Sequence, residues 1–442
     1  MKTMTALALI LASTSFAHAA SKIAPSNESF IGQIGNDNTG IVSQHLGNNT
    51  QATVQVGRGN TALTAQSQTI AKTTNQSATA QFGTNNEAIA SQKNGANIQG
   101  TLQVGTQNTA LTAQVGVSVP NANTARTAQF GTENTSATSQ SSNAPNSTDN
   151  DKTLNTASVT QIGTANTSLV AQTGGKNTGS VLQVGKLNTA VTAQSDNAAA
   201  AASTNTSFTG QFGNKNTAET LQSSVDNSPA KGGLNDSSTL QIGNKNTAVT
   251  AQNSAAGLLD GTNNAAATLQ VGNKNVAETV QGGGVDARKG QTNTSSVDQF
   301  GNGNMAVVAQ LNAANAQETL QIGNKNTALT AQQNSADDKA ANAGMTIQVG
   351  KKNEAVTSQI ANPLATANNA NSSLIAQIGN RNEAVAAQTT GPQGMIGANN
   401  QATLQMGSNN IAVTSQSNTN NVANTSVTAQ FGSHNVALTV QR

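Results

Sequence analysis

NAQETLQIGNKNTALTAQ, running from Asn315 to Gln332, is built of two arms of the same form. Each begins with Asn and ends with Gln six residues later (Asn315–Gln321 and Asn326–Gln332), and the two are joined by Ile322-Gly323-Asn324-Lys325. The pattern recurs sixteen times, its first Gln falling at Gln33, Gln55, Gln81, Gln103, Gln129, Gln161, Gln183, Gln211, Gln241, Gln270, Gln299, Gln321, Gln348, Gln377, Gln405 and Gln430. A pattern that recurs every 22 to 32 residues is the mark of a stacked repeat architecture. The link inside a repeat never changes length: one apolar residue, Gly, then two more. The link between repeats runs from four residues (Thr173–Lys176) to fourteen (Ser141–Leu154). One edge is therefore fixed and the opposite edge tolerates insertion, as in a solenoid with loops on one side.

Parity tells strand from helix. Within an arm the Asn and Gln share a face, and so does the residue two before the first Gln, which is Thr, Val or Ile in all sixteen copies (Thr53, Val159, Ile375). β-branched residues suit a pleated strand. The arms hold ten charged residues: Glu28, Glu87, Arg126, Glu219, Asp236, Glu278, Asp298, Glu318, Glu354 and Glu383. All ten have the opposite parity to the Asn and Gln, so the amide face is the buried one, because an unpaired buried charge is strongly unfavourable. All six prolines lie outside the arms, where none deletes a ladder hydrogen bond.

These readings predict an all-β fold: a parallel β-solenoid of sixteen strand–arc–strand repeats forming two facing parallel sheets, about 75 Å long at one rung per ~4.8 Å. A thin core of Thr, Val, Ala and Ser is flanked by amide ladders, in which each Asn or Gln donates to one neighbouring rung and accepts from the other. The expected ladder residues include Asn27, Gln33, Asn38 and Gln44 at one end, and Asn424, Gln430, Asn435 and Gln441 at the other. Between them stand Asn264, Gln270, Asn275 and Gln281, then Asn315, Gln321, Asn326 and Gln332. The corner glycines (Gly35, Gly272, Gly323, Gly432) provide a backbone conformation that a Cβ would hinder. The charges Glu219, Glu278, Asp298 and Glu318 read as gatekeepers against premature aggregation. The residue after each first Gln (Ile34, Phe82, Met406) and the middle of most second arms (Leu63, Leu111, Val249) are apolar. Either they form an outward stripe for lateral packing, or the arc changes parity.

Composition excludes much else. The 442 residues contain no Cys, Trp or Tyr, and hydrophobic residues make up only 35%, so a conventional globular core cannot be filled. The net charge of +2 gives no electrostatic case for nucleic acid or an anionic membrane surface. Without Cys there is neither disulfide nor thiol chemistry. His18, His45 and His434 are scattered, so no metal or catalytic constellation forms around them, and no cofactor is expected. The arm acids are single residues in separate repeats, which argues against an enzyme. The corner lysines (Lys215, Lys245, Lys274, Lys325, with Lys351 and Arg381) read first as solvated turn residues; a basic edge for an acidic polymer is the other reading.

Residues 1–19 read as a secretory signal: Lys2, the apolar run Ala6–Ala12, and Ala17-His18-Ala19 before a mature start at Ala20. A short segment, residues 20–26, precedes the repeat array, residues 27–442. The apolar run is too short to span a bilayer, and no membrane insertion is expected. The first arm starts seven residues after the cleavage site and the last ends one residue before Arg442, so neither end is expected to carry a cap.

Units such as QIGNKNTALTAQ (Gln321–Gln332) and QVGRGNTALTAQ (Gln55–Gln66) resemble curlin repeats, with the pattern S-x5-Q-x-G-x-x-N-x-A-x3-Q. The resemblance covers Asn27 to Gln441, with Asn in place of the leading Ser in every repeat and an array several times longer than the familiar curlins. In place of the family's Gly/Asn-rich export segment there is only Ala20–Ser26. The resemblance implies a subunit of curli, the extracellular amyloid fibres of bacterial biofilms. The partners it implies are copies of itself, a nucleator subunit, an outer-membrane export pore and periplasmic chaperones. A monomeric solenoid binding module, such as an adhesin or ice-binding protein, is the alternative.

Overall fold

The computed structural model describes residues 26–69, 73–116, 122–142, 154–196, 203–225, 233–255, 262–283, 292–312, 314–334, 340–361, 369–390, 398–418 and 423–442. The expected signal segment (residues 1–19), the six prolines and most of the long links lie outside these. The described residues form thirty-two strands and no helix, two strands to a repeat. Two compact units divide the chain, Met1–Asn197 and Ala198–Arg442. The first runs from β1 (Asn27–Asn36) and β2 (Thr39–His45) to β13 (Lys176–Lys186) and β14 (Thr189–Asp196), seven repeats. The second runs from β15 (Thr204–Asn214) and β16 (Thr217–Val225) to β31 (Asn424–Ser433) and β32 (Val436–Gln441), nine repeats. Within each unit the first strands pair only with first strands and the second strands with second strands, all parallel. The fold is a parallel β-solenoid.

Register is set by the amide and glycine columns. β23 (Asn315–Asn324) pairs with β25 (Ala340–Lys351) through Asn315↔Asn342, Gln321↔Gln348 and Gly323↔Gly350. The first strands are longer than the seven-residue arm, because pairing continues through the corner glycine to the residue beyond it. Burial alternates as the charge parity requires. Thr268 and Thr319 are buried and Glu278 and Glu318 exposed, while Glu219 and Asp298 are half-buried. None of the ten arm charges is buried. Alternation also persists across the apolar positions in question. Ile322 is 41% exposed and Leu111 39%, so these residues point outward; the buried positions switch from odd numbers in Asn315–Gln321 to even in Asn326–Gln332 only at the corner between the arms.

The core is a file of small side chains, with apolar clusters where Val or Ile replaces Thr: Val159, Val170 and Val181 in the first unit, and Val297 with Val308 in the second. Several core hydroxyls, those of Thr220, Thr279 and Thr330 among them, make no hydrogen bond. What these positions contribute is β-branched shape rather than polarity, which is why Val and Ile can share their columns.

The two edges turn by different devices. At every corner the residue before the second Asn is left-handed, with φ from 54° at Asn85 to 66° at Gly303. Three of the four-residue links turn on consecutive left-handed residues, Leu46–Gly47, Asn94–Gly95 and Gly174–Gly175, and in the fourth Asn312 and Ala314 are left-handed.

Candidate assembly site: the amide ladders

Each inner repeat contributes four buried amides, and stacking turns them into four columns. In the first Gln column, Gln299 Nε2 donates to Gln321 Oε1 and Gln321 Nε2 to Gln348 Oε1, both at 2.8 Å. The other N–H of Gln321 goes to the Met305 carbonyl at 2.9 Å, so one side chain ties two rungs and both sheets. The second Gln column repeats this: Gln310 donates to Gln332 at 2.8 Å, and Gln332 to Gln359 at 2.7 Å and to the Ala316 carbonyl at 2.9 Å.

The Asn columns run the other way. Asn342 Nδ2 donates to Asn315 Oδ1, and Asn315 Nδ2 to Asn293 Oδ1, both at 3.0 Å. At the second Asn the backbone joins in. The Asn326 N–H donates to Asn304 Oδ1 at 3.1 Å, and Asn326 Nδ2 reaches the Gly350 carbonyl at 3.2 Å. Along the columns Gln amides thus donate toward the C-terminal rung, whereas each Asn Oδ1 accepts from that rung, through Nδ2 at the first Asn and through the backbone N–H at the second. Inside the stack no amide is left buried and unpaired along its column, which is the condition for placing it there.

Asn264 and Gln270 bond to Asn235 and Gln299, Asn275 to Asn246 and the Gly301 carbonyl, and Gln281 to Gln310. The outermost rungs differ from the expectation of a uniformly buried amide face. Asn27 and Gln33 are exposed and Asn38 and Gln44 half-buried, because each has a rung on one side only; they still bond to Asn49, Gln55, Asn60 and Gln66. At the other end Asn424, Asn435 and Gln441 are half-buried and Gln430 stays buried; they bond back to Asn399, Asn410, Gln416 and Gln405.

The corner glycines do more than adopt a conformation. Gly323 has φ +121°, and a Cβ there would lie 1.9 Å from the Gly350 carbonyl oxygen. Gly35 and Gly272 are in the same position against Gly57 and Gly301. Gly432, in the last rung, has φ +102° and only a distant neighbour. Close rung-to-rung approach therefore requires Gly, and sequence reasoning found only half of that requirement.

Two further features were not anticipated. The Ser/Ala column inside the first sheet holds Gln99, Gln317 and Gln401, which fold back to donate to Thr101, Thr319 and Thr403. The extra inward Gln two residues before the β-branched position was the available signal. The other is an exposed Asn ladder at the corner edge of the second unit, where Asn214, Asn244 and Asn273 each donate to the next at 3.0 Å and Asn302 to Asn324 at 3.2 Å. Repetition of GNKN at successive corners was its sign.

Charge chemistry is sparse. Asp298, on β21 (Thr292–Asn302), is raised above the usual carboxylate range, by burial first and by the neighbouring Glu318 second. Among the described residues no group of three or more His, Cys, Asp or Glu is placed to hold a metal, and no helix is long and apolar enough to cross a membrane. The corner cations need one correction of register. Lys351 pairs with Asn324 and Asn380, and it is Lys352, left-handed at φ 57°, that stands in the column of Lys325 and Arg381.

Residues 155–185 match the family model described as Curlin associated repeat. They take in nearly all of β11 (Leu154–Thr164), the whole of β12 (Thr167–Thr173) and nearly all of β13. Among curated proteins none matches the chain.

Proposed function

Residues 155–185 being a curlin associated repeat, we propose that this chain is a structural subunit, exported by its N-terminal signal, that polymerises into extracellular curli-like amyloid fibres serving matrix and adhesion. The carrying observation is the directionality of the four amide columns. Every rung presents donors and acceptors that the next rung matches, so the interaction that stacks repeats within a chain also serves between chains. The first and last described repeats share the same Asn/Gln register, and an open strand edge is a template for another strand. In this reading Glu219, Glu278, Asp298 and Glu318 keep the outer faces from pairing before assembly. A nucleator, an outer-membrane pore and periplasmic chaperones are the partners that the family implies.

The test is native incubation of the purified mature chain. Thioflavin-positive fibres with a ~4.8 Å meridional spacing are expected; a protein that stays monomeric sinks the proposal and leaves a solenoid binding module. A paired substitution separates ladder assembly from adventitious aggregation. Thr268 is 4% exposed and its neighbour Ala267 lies on the outer face. Thr268→Lys should cost several kcal/mol and abolish or greatly slow fibre growth, since an ammonium would enter a dry core. Ala267→Lys should change stability by under about 0.5 kcal/mol.

A further inference from the structure

The left-handed corner position is chemically free. In the first unit it holds Asp37, Gly59, Asn85, Gln107, Glu133, Ala165 and Leu187, so the turn forms around acidic, amide, small and aliphatic residues alike. In seven successive repeats of the second unit the same position holds Lys215, Lys245, Lys274, Gly303, Lys325, Lys352 and Arg381: six cations, one glycine and no acid. The fold does not ask for this, since the first unit closes its corners without it.

The cations form a file rather than a scatter. Each corner N–H donates to the carbonyl of the preceding rung, as Lys245 to Asn214 at 2.9 Å, Lys325 to Asn302 at 3.0 Å and Arg381 to Lys351 at 2.9 Å. Positive charges therefore recur about every 4.8 Å along one edge of the stack, with one gap. All six side chains are exposed, and among the described residues none is in an ion pair. Glu354 and Glu383 stand two residues beyond Lys352 and Arg381, so the stretch Lys215–Lys325 is the more strongly positive part. Solubility would be served equally by mixed charge; a file of one sign repels itself and is relieved by a counter-charge of matching spacing.

We propose that this ridge binds a linear polyuronate, an acidic polysaccharide with one carboxylate per sugar and sugars of roughly one rung's length. The exposed Asn214–Asn324 ladder runs beside it, and each amide spends one N–H along the ladder and keeps another for a sugar hydroxyl. Nucleic acid fits less well. A duplex presents two strands of phosphate to a ridge one residue wide. A single strand wants aromatic platforms, and the outward column beside the corner offers Phe212 and Phe300 among aliphatic residues.

Titration of the full chain with polygalacturonate at low salt tests this, both before and after fibre formation, so that binding is read independently of polymerisation. The variant Lys215→Asn/Lys245→Asn/Lys274→Asn/Lys325→Asn keeps residues that tolerate the left-handed region, and its melting temperature should not fall. Its Kd should rise at least tenfold, with a clearly shallower dependence of log Kd on log salt. Asp37→Asn/Glu133→Asn, in the same column of the first unit, should leave binding within twofold. Unchanged affinity in the quadruple variant overturns the proposal. So does equal binding of fully methyl-esterified polygalacturonate, or tighter binding of double-stranded DNA that the same four substitutions abolish.

Discussion

The corner inside each repeat and the link between repeats both reverse the chain between parallel sheets, yet they obey different rules. The corner is always four residues, with glycines of adjacent rungs in contact and a left-handed residue before the second Asn. The link is four residues or many. Where it is four, it turns on two left-handed residues, adjacent in Asn94–Gly95 and separated in Asn312 and Ala314. The corner belongs to the ladder: Lys325 N–H bonds to Asn302, Asn326 N–H to Asn304 Oδ1 and Thr327 N–H to Asn353, rung after rung. A residue added there would break a column that runs through its neighbours. A residue added to a link only lengthens a loop, whose closure cost grows slowly with length.

The sharpest way to break this contrast is Gly323→Ala. The added Cβ would fall 1.9 Å from the Gly350 carbonyl oxygen, on a backbone at φ +121°. A loss on the order of 3–4 kcal/mol is expected, read as a lowered melting transition and loss of fibre yield. If the variant melts within a degree or two of the parent, rung contact is not what selects glycine.

Length gives the next test. Three residues inserted between Asn324 and Lys325 should cost about 2–3 kcal/mol, because the buried amide of Asn326 loses its partners. Replacing residues 141–154 by the four-residue link of Thr173–Lys176 should instead gain about 1 kcal/mol from the shorter loop. Chemical denaturation of both variants would decide; a harmless insertion together with a damaging replacement would invert the roles of the two edges.

Within the corner itself, Lys325→Gly should stabilise by about 0.5–1 kcal/mol, because the left-handed conformation carries no Cβ penalty in glycine. Denaturant midpoints can resolve a change of that size, and destabilisation would show that the lysine side chain holds the turn.

The smallest effect concerns strand charge. Asp298 is raised by burial and by Glu318, so the folded chain holds its proton more tightly than the unfolded chain does. Its ionisation therefore opposes folding: stability is greatest at acid pH and falls as pH rises through the unfolded and then the raised folded pKa. Asp298→Asn should give a small gain in melting temperature at pH 7 that vanishes toward pH 3. A gain that persists at pH 3 would assign the effect to packing.

The amino-acid sequence determined the strand–arc–strand repeat, the buried amide face and the parallel register by itself, because a period of two with sixteen copies leaves those features no freedom. Glu278 and Thr279, adjacent on one strand, fall on opposite faces in any pleated strand, whatever surrounds them. The left-handed corner was not legible, since Asp37, Leu187 and Lys325 share a conformation that none of them favours and only the closing geometry imposes. The contact between Gly323 and Gly350 was hidden as well, because it joins residues 27 apart and exists only once rungs stack. The opposed donor directions of the Gln and Asn columns depend on which carbonyl lies within reach of each amide. A repeat specifies what every rung contains; the distance and orientation between rungs decide what each side chain must then do.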